Sequence, residues 1–513
     1  MITLRLRPVA FGMGAAALAA SLLISWRPAA AEPRPQEAKA VVLPPVKVKY
    51  KVGDAEWQER APRTPETLPG FVASAYPDPP LDRWGGRTDR KAKATGFFRV
   101  EKKGDRWWLV DPDGGLFVHV GVAGVDVGKS PTPRGALAEK FGTPEKWADR
   151  TTDYLREQGF NGAGAWSGVA LLRGAAREKR LVYTVIGNAG APDGPNTGGG
   201  GFMSNFGKKL RATRPGVGHT NYPNGCIPVF HPDFPAFCDE YARPLAGLKD
   251  DPYLLGYFSD NELPYPRLEK YLELPANDPV MASSRRAAEE WLAARRRKGQ
   301  PSGAASAEIT DADRDAWTEH VFDRYLALTT AATRRYDPNH LCLGPRFYGP
   351  EKDNPAAFRA AGRHLDALGI NLYFVFDPKP GSIARWTEWS GKPVILTEWY
   401  AKGMDSGLPN TSGAGWTVQT QEDRGLFYQT FALGLLREKN CIGWHWFKYL
   451  DNDPADPNAE ASNQDANKGM VTVRYEPYQP LVDRMRSLNR RVYALADYFD
   501  AAAPAKAAAG QQR

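Results

Sequence analysis

The feature that most constrains the fold is an eightfold alternation of short apolar runs with amphipathic helical stretches. The apolar runs are LFVHVGVAG (116–124), FNGAGAW (160–166), LVYTVIG (181–187), YLLGYFSDNE (253–262), HLCLGPRF (340–347), LDALGINLYF (365–374), PVILTEWY (393–400) and CIGWHWFKY (441–449). Helical patterns such as 144–159, 234–248 and 422–439 lie between them, and 480–499 follows the last run. Alternating β and α elements predict a parallel sheet, and eight such units predict a closed (β/α)8 TIM barrel, an α/β fold.

The predicted barrel spans residues 94–499 and carries loop insertions at 188–230, after the third strand, and at 265–312, after the fourth. A doubly wound open sheet is the alternative fold, but it requires a glycine-rich phosphate loop after its first strand. GVAGVDVGKS (121–130) lacks the spacing of either nucleotide-binding fingerprint. The pattern therefore favours the barrel.

Residues 1–31 have the layout of a secretory signal peptide. Arg5 and Arg7 precede an apolar stretch at 9–24, and small residues at 29–31 precede Glu32. A retained membrane anchor is the alternative, but the stretch is short for spanning a bilayer. We expect a secreted or periplasmic protein with no membrane association after signal cleavage.

The segments that flank the barrel carry weaker patterns. Residues 32–93 are rich in Pro, Lys and Arg and are predicted to be an extended linker and N-terminal wrap. Alternating residues around Lys103-Gly104-Asp105 predict a hairpin at the start of the barrel domain. Residues 500–513 are predicted to be a disordered tail.

Charge and cysteine content argue against two classes of partner. The formal charge is +8, and without residues 1–31 it is +5, from 64 Lys and Arg against 59 Asp and Glu. The basic run at 285–299 contains glutamates at helical spacing, which favours a solvated helix face over a nucleic-acid patch. The four cysteines form no CxxC or Cys/His array, so no zinc site is predicted. A Cys226–Cys238 disulfide is left open.

Polar and aromatic residues stand where the predicted strands end, and TIM-barrel active sites lie at that end. They are Trp166 in the second run, Asn261 and Glu262 in the fourth, Arg346 in the fifth, Tyr373 in the sixth, Glu398 in the seventh, and Trp444, His445 and Trp446 in the eighth. A lone Glu at a strand end is more often a loop charge. Two on non-adjacent strands face each other across the barrel mouth, which is the arrangement that glycosidic bond cleavage requires. One carboxyl must stay protonated near neutral pH while the other is ionised.

The aromatic residues offer flat apolar faces on which pyranose rings stack. Trp444 and Trp446 share one face of their strand and His445 takes the other, so at most one set points inward. The two tryptophans therefore either stack on sugar or pack in the core, and His445 is expected to be a hydrogen-bonded structural histidine. Together with Asn261, Tyr373, Arg346 and Trp166 they are the candidate substrate-binding residues.

No metal or other cofactor is predicted, because the barrel mouth shows no His-rich or Cys-rich ligand set. DNDPADPNAEASNQDANKG (451–469) is rich in oxygen ligands. It lacks the Gly and terminal Glu of an EF-hand loop, so a sugar-binding or surface loop is favoured over a calcium site.

An Asn-Glu pair at the end of strand four, with a second Glu at the end of strand seven, is similar to clan A of the glycoside hydrolases, which are retaining (β/α)8 enzymes. Longer stretches resemble the family 50 β-agarases along most of residues 94–498. These stretches are ATGFFRVEKKGDRWWLVDPDGGLF (94–117), GYFSDNELP (256–264), ILTEWYAKGMDSGLPNTSGAGWTVQTQEDRG (395–425), CIGWHWFKYLDNDP (441–454) and SNQDANKG (462–469). The resemblance implies an endo- or exo-acting hydrolase of β-1,4 linkages in agar-type galactans, with a polysaccharide or oligosaccharide as its partner.

Matched by position, the resemblance implies that Glu262 is the acid/base and Glu398 the nucleophile. It also implies that Asn261 holds the sugar 2-hydroxyl and that Tyr373 hydrogen-bonds the nucleophile. Carboxyl groups of retaining enzymes lie about 5–5.5 Å apart.

Two departures from the family put the exact galactan in doubt. Residues 32–90 are too short for the carbohydrate-binding-like domain common in the family, and small residues in GVAGVD and GAGAWS stand where the family tends to place polar ones. Another clan A hydrolase, such as a β-galactosidase or β-glucanase, is an alternative, as is a non-catalytic polysaccharide-binding barrel.

Overall fold

The computed structural model describes residues 41–176, 178–191, 200–215, 220–297, 308–460 and 462–501. The predicted signal peptide lies outside the described residues, as do 32–40 of the predicted linker and 502–513 of the predicted tail. The first two residues of that tail belong to a helix, where Asp500 accepts a hydrogen bond from Arg106 at 2.9 Å. Within the described ranges, no helix is long and apolar enough to cross a membrane.

Eight parallel strands, β1 to β8 in chain order, form the central sheet. They are His119–Ala123, Gly162–Ala163, Val182–Ile186, Leu254–Phe258, Leu341–Gly344, Leu368–Asn371, Val394–Glu398 and Cys441–Phe447. Their order across the sheet is β5-β4-β3-β2-β1-β8-β7-β6. Phe347, just after β5, donates to Gly369 O and accepts from Asn371 N of β6, both at 2.9 Å. The sheet therefore closes into the predicted TIM barrel, and each predicted apolar run supplies one strand.

The strands read as continuous apolar runs because both faces of a parallel barrel sheet are covered. All residues of β3, β4 and β7 are buried. The first two strands and the residues around them are rich in glycine because the imidazole rings of His119 and His445 fill the barrel interior beside them. A Cβ at Gly162 would lie 2.1 Å from Nε2 of His119.

Helices surround the barrel and return the chain from one strand to the next. They are α1 Pro131–Lys140, α2 Pro144–Glu157, α3 Val169–Leu172, α4 Phe202–Lys209, α5 Phe234–Ala242, α6 Leu268–Leu272, α7 Ala282–Arg297, α8 Asp311–Tyr336, α9 Pro355–His364, α10 Ala384–Ser390, α11 Gln421–Arg437, α12 Gln479–Asn489 and α13 Val492–Ala501. Local sequence sets their starts: Thr420 and Asp423 form a capping box at α11, and Thr310 and Asp313 form one at α8.

The predicted helix 480–499 is in fact two helices, α12 and α13. Asn489 ends the first, and its side chain donates to the carbonyl of Gln158 at 3.1 Å and accepts from the Tyr428 hydroxyl at 2.7 Å. These long-range hydrogen bonds fix the position at which α12 ends, and the local periodicity of the sequence carries no signal for them.

The two predicted insertions contain regular structure. After β3 come α4, α5 and a short antiparallel pair, Arg214–Pro215 with Thr220–Asn221. After β4, helices α6 and α7 precede the long returning helix α8. Single-turn 3-10 helices lie at Pro65–Thr67, Ala73–Ala75, Pro223–Gly225, Arg243–Gly247, Pro350–Asp353 and Met404–Ser406.

Two small sheets accompany the barrel, and residues 41–93 contribute strands to both. One sheet has the order Ala401–Gly403, Trp416–Val418, Val46–Lys49, Gln58–Arg60. The other has the order Arg87–Lys91, Gly115–Phe117, Arg106–Val110, Arg99–Lys103, and in it Lys103 lies opposite Arg106 across a tight turn. The segment predicted as a linker is therefore paired with the loop that follows β7.

Candidate active site

A cleft of about 1130 Å³ opens at the carboxyl ends of the barrel strands. Both Glu262 and Glu398 line it, together with Asn261, Tyr373 and Trp166. The cleft wall also includes Tyr348, Tyr400, Phe447, Lys448 and Lys468 and polar residues of the loop after β8. The structure thus brings five of the predicted site residues to one cavity.

Glu398 ends β7 and is 5% exposed. Three donors meet its carboxylate: the Arg346 guanidinium, the Tyr373 hydroxyl at 2.5 Å and the Trp166 indole N–H at 3.2 Å. Burial raises the pKa of Glu398; the charge of Arg346 opposes this rise and the charge of Glu262 adds to it. Because guanidinium and indole groups donate only, these contacts are satisfied by an ionised, accepting Glu398.

Arg346 joins the two sides of the site. It is fully buried, and besides Glu398 it donates to Asn261 Oδ1 at 3.0 Å and to Thr397 O at 3.2 Å. The sequence suggested a substrate-binding role, but the side chain contacts other site residues and is absent from the cleft lining. Its role in the structure is to hold Glu398 and Asn261 in one arrangement.

Whereas Glu398 ends β7, Glu262 lies beyond the end of β4, and its side chain is half-buried. Its Oε1 accepts a hydrogen bond from Asn371 Nδ2 at 2.6 Å. The Asn371 amide is oriented by Thr397, whose hydroxyl donates to Asn371 Oδ1 at 2.6 Å. Residues from β6 and β7 therefore position a carboxyl that belongs to β4.

Asn371 was missed from the sequence. It is the last residue of β6 and also lies 3.4 Å, through Nδ2, from Asn261 Oδ1. The sequence signal for Asn371 was a polar side chain at the end of an otherwise apolar strand, two residues before Tyr373. The same signal also occurs at strand ends that line no site, so it could not single out this residue.

Backbone strain clusters around the site. Trp166, Glu262, Arg346 and Phe374 all have positive φ, at 66°, 51°, 54° and 58°. Left-handed backbone at residues other than glycine costs of order 1–3 kcal/mol each and persists where the surrounding structure fixes it. Each of the four follows a barrel strand, and the side chains of Trp166 and Glu262 line the cleft.

The two tryptophans of β8 lie in the core and not in the cleft. Trp444 and Trp446 point away from the cleft: the Trp444 indole N–H donates to the Tyr428 hydroxyl of α11 at 3.0 Å, and the Trp446 N–H donates to Lys468 O at 3.1 Å. Both rings are buried, so the prediction that these tryptophans stack on sugar is wrong, and the alternative that they pack in the core is confirmed.

His445 takes the opposite face and points into the barrel interior. It is fully buried and pairs with His119 through Nε2 and Nδ1 at 2.9 Å, while His119 Nε2 lies 3.1 Å from Val182 O. Burial lowers the pKa of both imidazoles. His445 is therefore a buried, hydrogen-bonded histidine below the cleft and does not line it.

The loop 451–469 forms one wall of the cleft. Lys448 Nζ donates to Asn452 Oδ1 at 2.7 Å, and the Lys468 ammonium donates to Asn463 Oδ1. The loop is tied to residues 401–416 by Asp465, which accepts from the backbone of Ser412 at 2.8 Å. In the described part of the chain, no group of three or more His, Cys, Asp or Glu residues could hold a metal ion.

The four cysteines are buried free thiols. The Cys226–Cys238 disulfide that the sequence left open is therefore not formed in this structure.

No protein-family model matches the chain. β-Agarase B of Vibrio sp. (strain JT0107) is 24% identical over 491 residues, which cover 80% of this chain and 50% of that protein. β-Agarase A of the same strain is 28% identical over 188 residues, 35% of this chain and 18% of that protein. The chain therefore spans at most half the length of these curated relatives.

Solved structures give a more complete match. BpGH50 superposes with a TM-score of 0.74 and 28% identity, covering 91% of this chain and 98% of that one. An exo-β-agarase superposes with a TM-score of 0.63 and 22% identity over 82% of this chain and 69% of that one, which shows a shared fold. The chain is therefore a β-agarase-like protein, related to the family 50 glycoside hydrolases.

Proposed function

We propose that this protein is a retaining glycoside hydrolase that cleaves β-1,4 linkages in agar-type galactans. The observation that carries the proposal is that Glu262 and Glu398 line one cleft and are held by separate sets of donors. The β-agarase names of the relatives supply the substrate class.

Glu398 is the proposed nucleophile. Its Arg346, Tyr373 and Trp166 contacts favour the carboxylate, and the ion pair with a buried guanidinium persists in the free enzyme. In the first step, a Glu398 oxygen bonds to the anomeric carbon while the bond to the leaving-group oxygen breaks, giving a covalent glycosyl-enzyme.

Glu262 is the proposed acid/base. It gives its proton to the departing glycosidic oxygen in the first step. In the second step it takes a proton from water as that water attacks the anomeric carbon, and Glu398 leaves as a carboxylate. The neutral amide of Asn371 supports Glu262 in either protonation state, because the carboxyl accepts that hydrogen bond through Oε1.

Asn261 is proposed to bind the sugar hydroxyl next to the cleaved bond. Its Oδ1 already accepts from Arg346 at 3.0 Å and faces Asn371, which fixes the amide orientation. The Nδ2 group is then directed as a donor toward a sugar oxygen in the cleft, which Asn261 lines.

Secretion belongs to the same proposal. Agar-type galactans are extracellular polymers, and the signal-like layout of residues 1–31 would deliver the enzyme to them. N-terminal sequencing of the protein recovered from the periplasm or medium tests this, and recovery of residues 1–31 in the mature chain would contradict it.

The main test is product analysis. The unmodified protein is incubated with agarose, porphyran and β-glucans, and NMR records the anomer of the first-formed product. We expect cleavage of a galactan with retention. Cleavage of β-glucans alone would favour a different clan A hydrolase, an early inverted anomer would refute the double displacement, and binding without cleavage would favour the non-catalytic alternative.

Azide rescue tests the two assignments separately, with a substrate that has a good leaving group. In Glu398→Ala, azide should attack directly and give an inverted glycosyl azide. In Glu262→Ala, azide should intercept the covalent intermediate and give a retained one. Exchanged products would exchange the two roles.

A further inference from the structure

We propose that Tyr50 and Phe374 form an aromatic platform on the rim of the catalytic cleft, which stacks on a pyranose ring of the galactan beyond those held between Glu262 and Glu398. The inference rests on the proposed function and adds to it a distal sugar site contributed by the N-terminal segment.

The aromatic platform is built across two strands. Lys49 pairs with Thr417, so Tyr50 at the next position faces Trp416, and the centroids of their rings lie 4.4 Å apart at 35°. The Phe374 ring lies 5.3 Å from that of Tyr50 at 49°. Trp416 is 2% exposed, whereas Tyr50 and Phe374 are 44% and 38% exposed. A buried indole therefore supports two rings that face solvent.

Both exposed rings are held ready for a ligand. Phe374 has a left-handed φ of 58°, a strained backbone that persists where the surrounding structure fixes it. The Tyr50 hydroxyl makes no hydrogen bond to any other described residue. An apolar ring face beside a spare hydroxyl matches the chemistry of a pyranose, which presents C–H groups on one face and hydroxyls at its edge.

Two of the segments that carry the platform also carry residues that line the cleft. Phe374 directly follows Tyr373, whose hydroxyl contacts Glu398. Trp416 is two residues from Ala414, which lines the cleft. Residues two apart in a chain are at most about 7 Å apart. A polymer that leaves the cleft on this side would therefore meet the platform.

The same sheet connects the platform to the proposed nucleophile. Ala401, three residues after Glu398, pairs with Trp416, and Trp416 faces Tyr50. The N-terminal segment is therefore attached to the β7 side of the site through the loop that follows β7. A galactan chain is the occupant to which these contacts point, because the proposed function places such a chain in the adjoining cleft.

The test compares substrate lengths in Tyr50→Ala, Tyr50→Trp and Leu81→Ala. Leu81 is an apolar side chain that is 54% exposed and is not among the residues that line the cleft, so it serves as the matched control. We measure kcat/KM on agar oligosaccharides from the shortest cleaved to long chains. An aromatic stacking contact is worth about 0.5–1.5 kcal/mol, or about two- to tenfold.

For Tyr50→Ala we expect kcat/KM on long chains to fall about two- to tenfold more than on the shortest cleaved substrate. Tyr50→Trp should preserve the preference for long chains, and Leu81→Ala should match the unmodified protein. An equal loss at all lengths, or no loss at any, would overturn the inference while leaving the proposed function standing. A change of oligomeric state in Tyr50→Ala, measured by light scattering, would assign the platform to a second copy of the chain. If the unmodified protein cleaves none of these substrates, the proposed function itself is wrong and the inference falls with it.

Discussion

Two pairs of carboxyl groups in this molecule differ in what contacts each carboxyl. At the barrel mouth, Glu262 and Glu398 are separated by Arg346, Asn261 and Asn371, so each carboxyl has its own donors. In the small sheet before β1, Asp82 and Asp111 meet directly. A Cβ at Gly115 would lie 2.3 Å from Oδ2 of Asp111 and 2.6 Å from Oδ2 of Asp82.

The second pair is symmetrical because two loops share one sequence pattern, DRWGG (82–86) and DPDGG (111–115). In each loop the Asp N–H donates to the last glycine carbonyl, at 2.9 and 3.0 Å, and its Oδ1 accepts from backbone N–H groups of the turn. Burial raises the pKa of Asp111 to about 8, and the hydrogen bond and charge of Asp82 add to this. Burial and the neighbouring Asp82 carboxyl therefore favour the protonated form of Asp111.

The difference shows what makes a carboxyl pair suitable for acid/base chemistry. In the Asp82–Asp111 pair the two acids adjoin directly, and a proton is favoured on Asp111. In the Glu262–Glu398 pair a buried cation contacts one member and a neutral amide the other, and this difference supports the two separate roles that we propose for them.

Glu398→Gln and Glu262→Gln should each lower turnover by orders of magnitude, at least about 10²-fold, while the fold is retained. Both groups face the cleft, so neither change opens a core cavity. Steady-state kinetics on the galactan and circular dichroism of the folded variants measure this. Near-normal turnover in either variant would end the proposed mechanism.

Arg346→Met should leave the Glu398 carboxylate buried without its cation. Breaking a buried ion pair from one side costs about 3–5 kcal/mol of unfolding free energy. Because the uncharged amide needs no counter-charge, adding Glu398→Gln to Arg346→Met should restore part of that stability. Denaturant unfolding of the two single variants and the double variant measures the coupling, and strictly additive losses would contradict the ion-pair account.

Asn371→Ala should lower kcat/KM about tenfold, because it removes a hydrogen bond to the reacting Glu262 carboxyl. Thr397→Val keeps the side-chain shape but loses the hydroxyl that orients Asn371, so it should show a smaller loss. The double variant should lose no more than Asn371→Ala alone. Losses that multiply would show that Thr397 acts by another route.

Asp111→Asn should leave turnover unchanged and alter only the pH dependence of stability. Because the folded protein holds a proton on Asp111 up to about pH 8, that stabilisation is full below the ordinary Asp value and is lost as pH rises through about 8. We expect the unmodified protein to lose on the order of 4 kcal/mol between pH 5 and 9 from this group. The amide donates to Asp82 without a titrating proton, so the variant should be flatter in thermal unfolding across that range. Parallel profiles would refute a protonated Asp111.

Local sequence determined the architecture and the two glutamates that line the cleft. The eightfold alternation predicted the barrel, and each apolar run became a strand because buried parallel strands need continuous apolar residues. Glu262 and Glu398 were predicted to share a site because they follow or end strands, and a parallel barrel brings the carboxyl ends of all its strands to one rim. The fold and both carboxyls therefore follow from patterns within about ten residues.

Tertiary structure decided what holds those carboxyls and what surrounds them. Both faces of β8 are buried, so the sequence could not say that His445 faces the interior while Trp444 and Trp446 face α11. Asn371 and Arg346 gained their contacts from partners on other strands, and the strand Val46–Lys49 joined a sheet by pairing with Trp416–Val418. These outcomes depend on contacts between residues far apart in the chain, and such contacts leave no period in the local sequence because either partner alone is compatible with many environments.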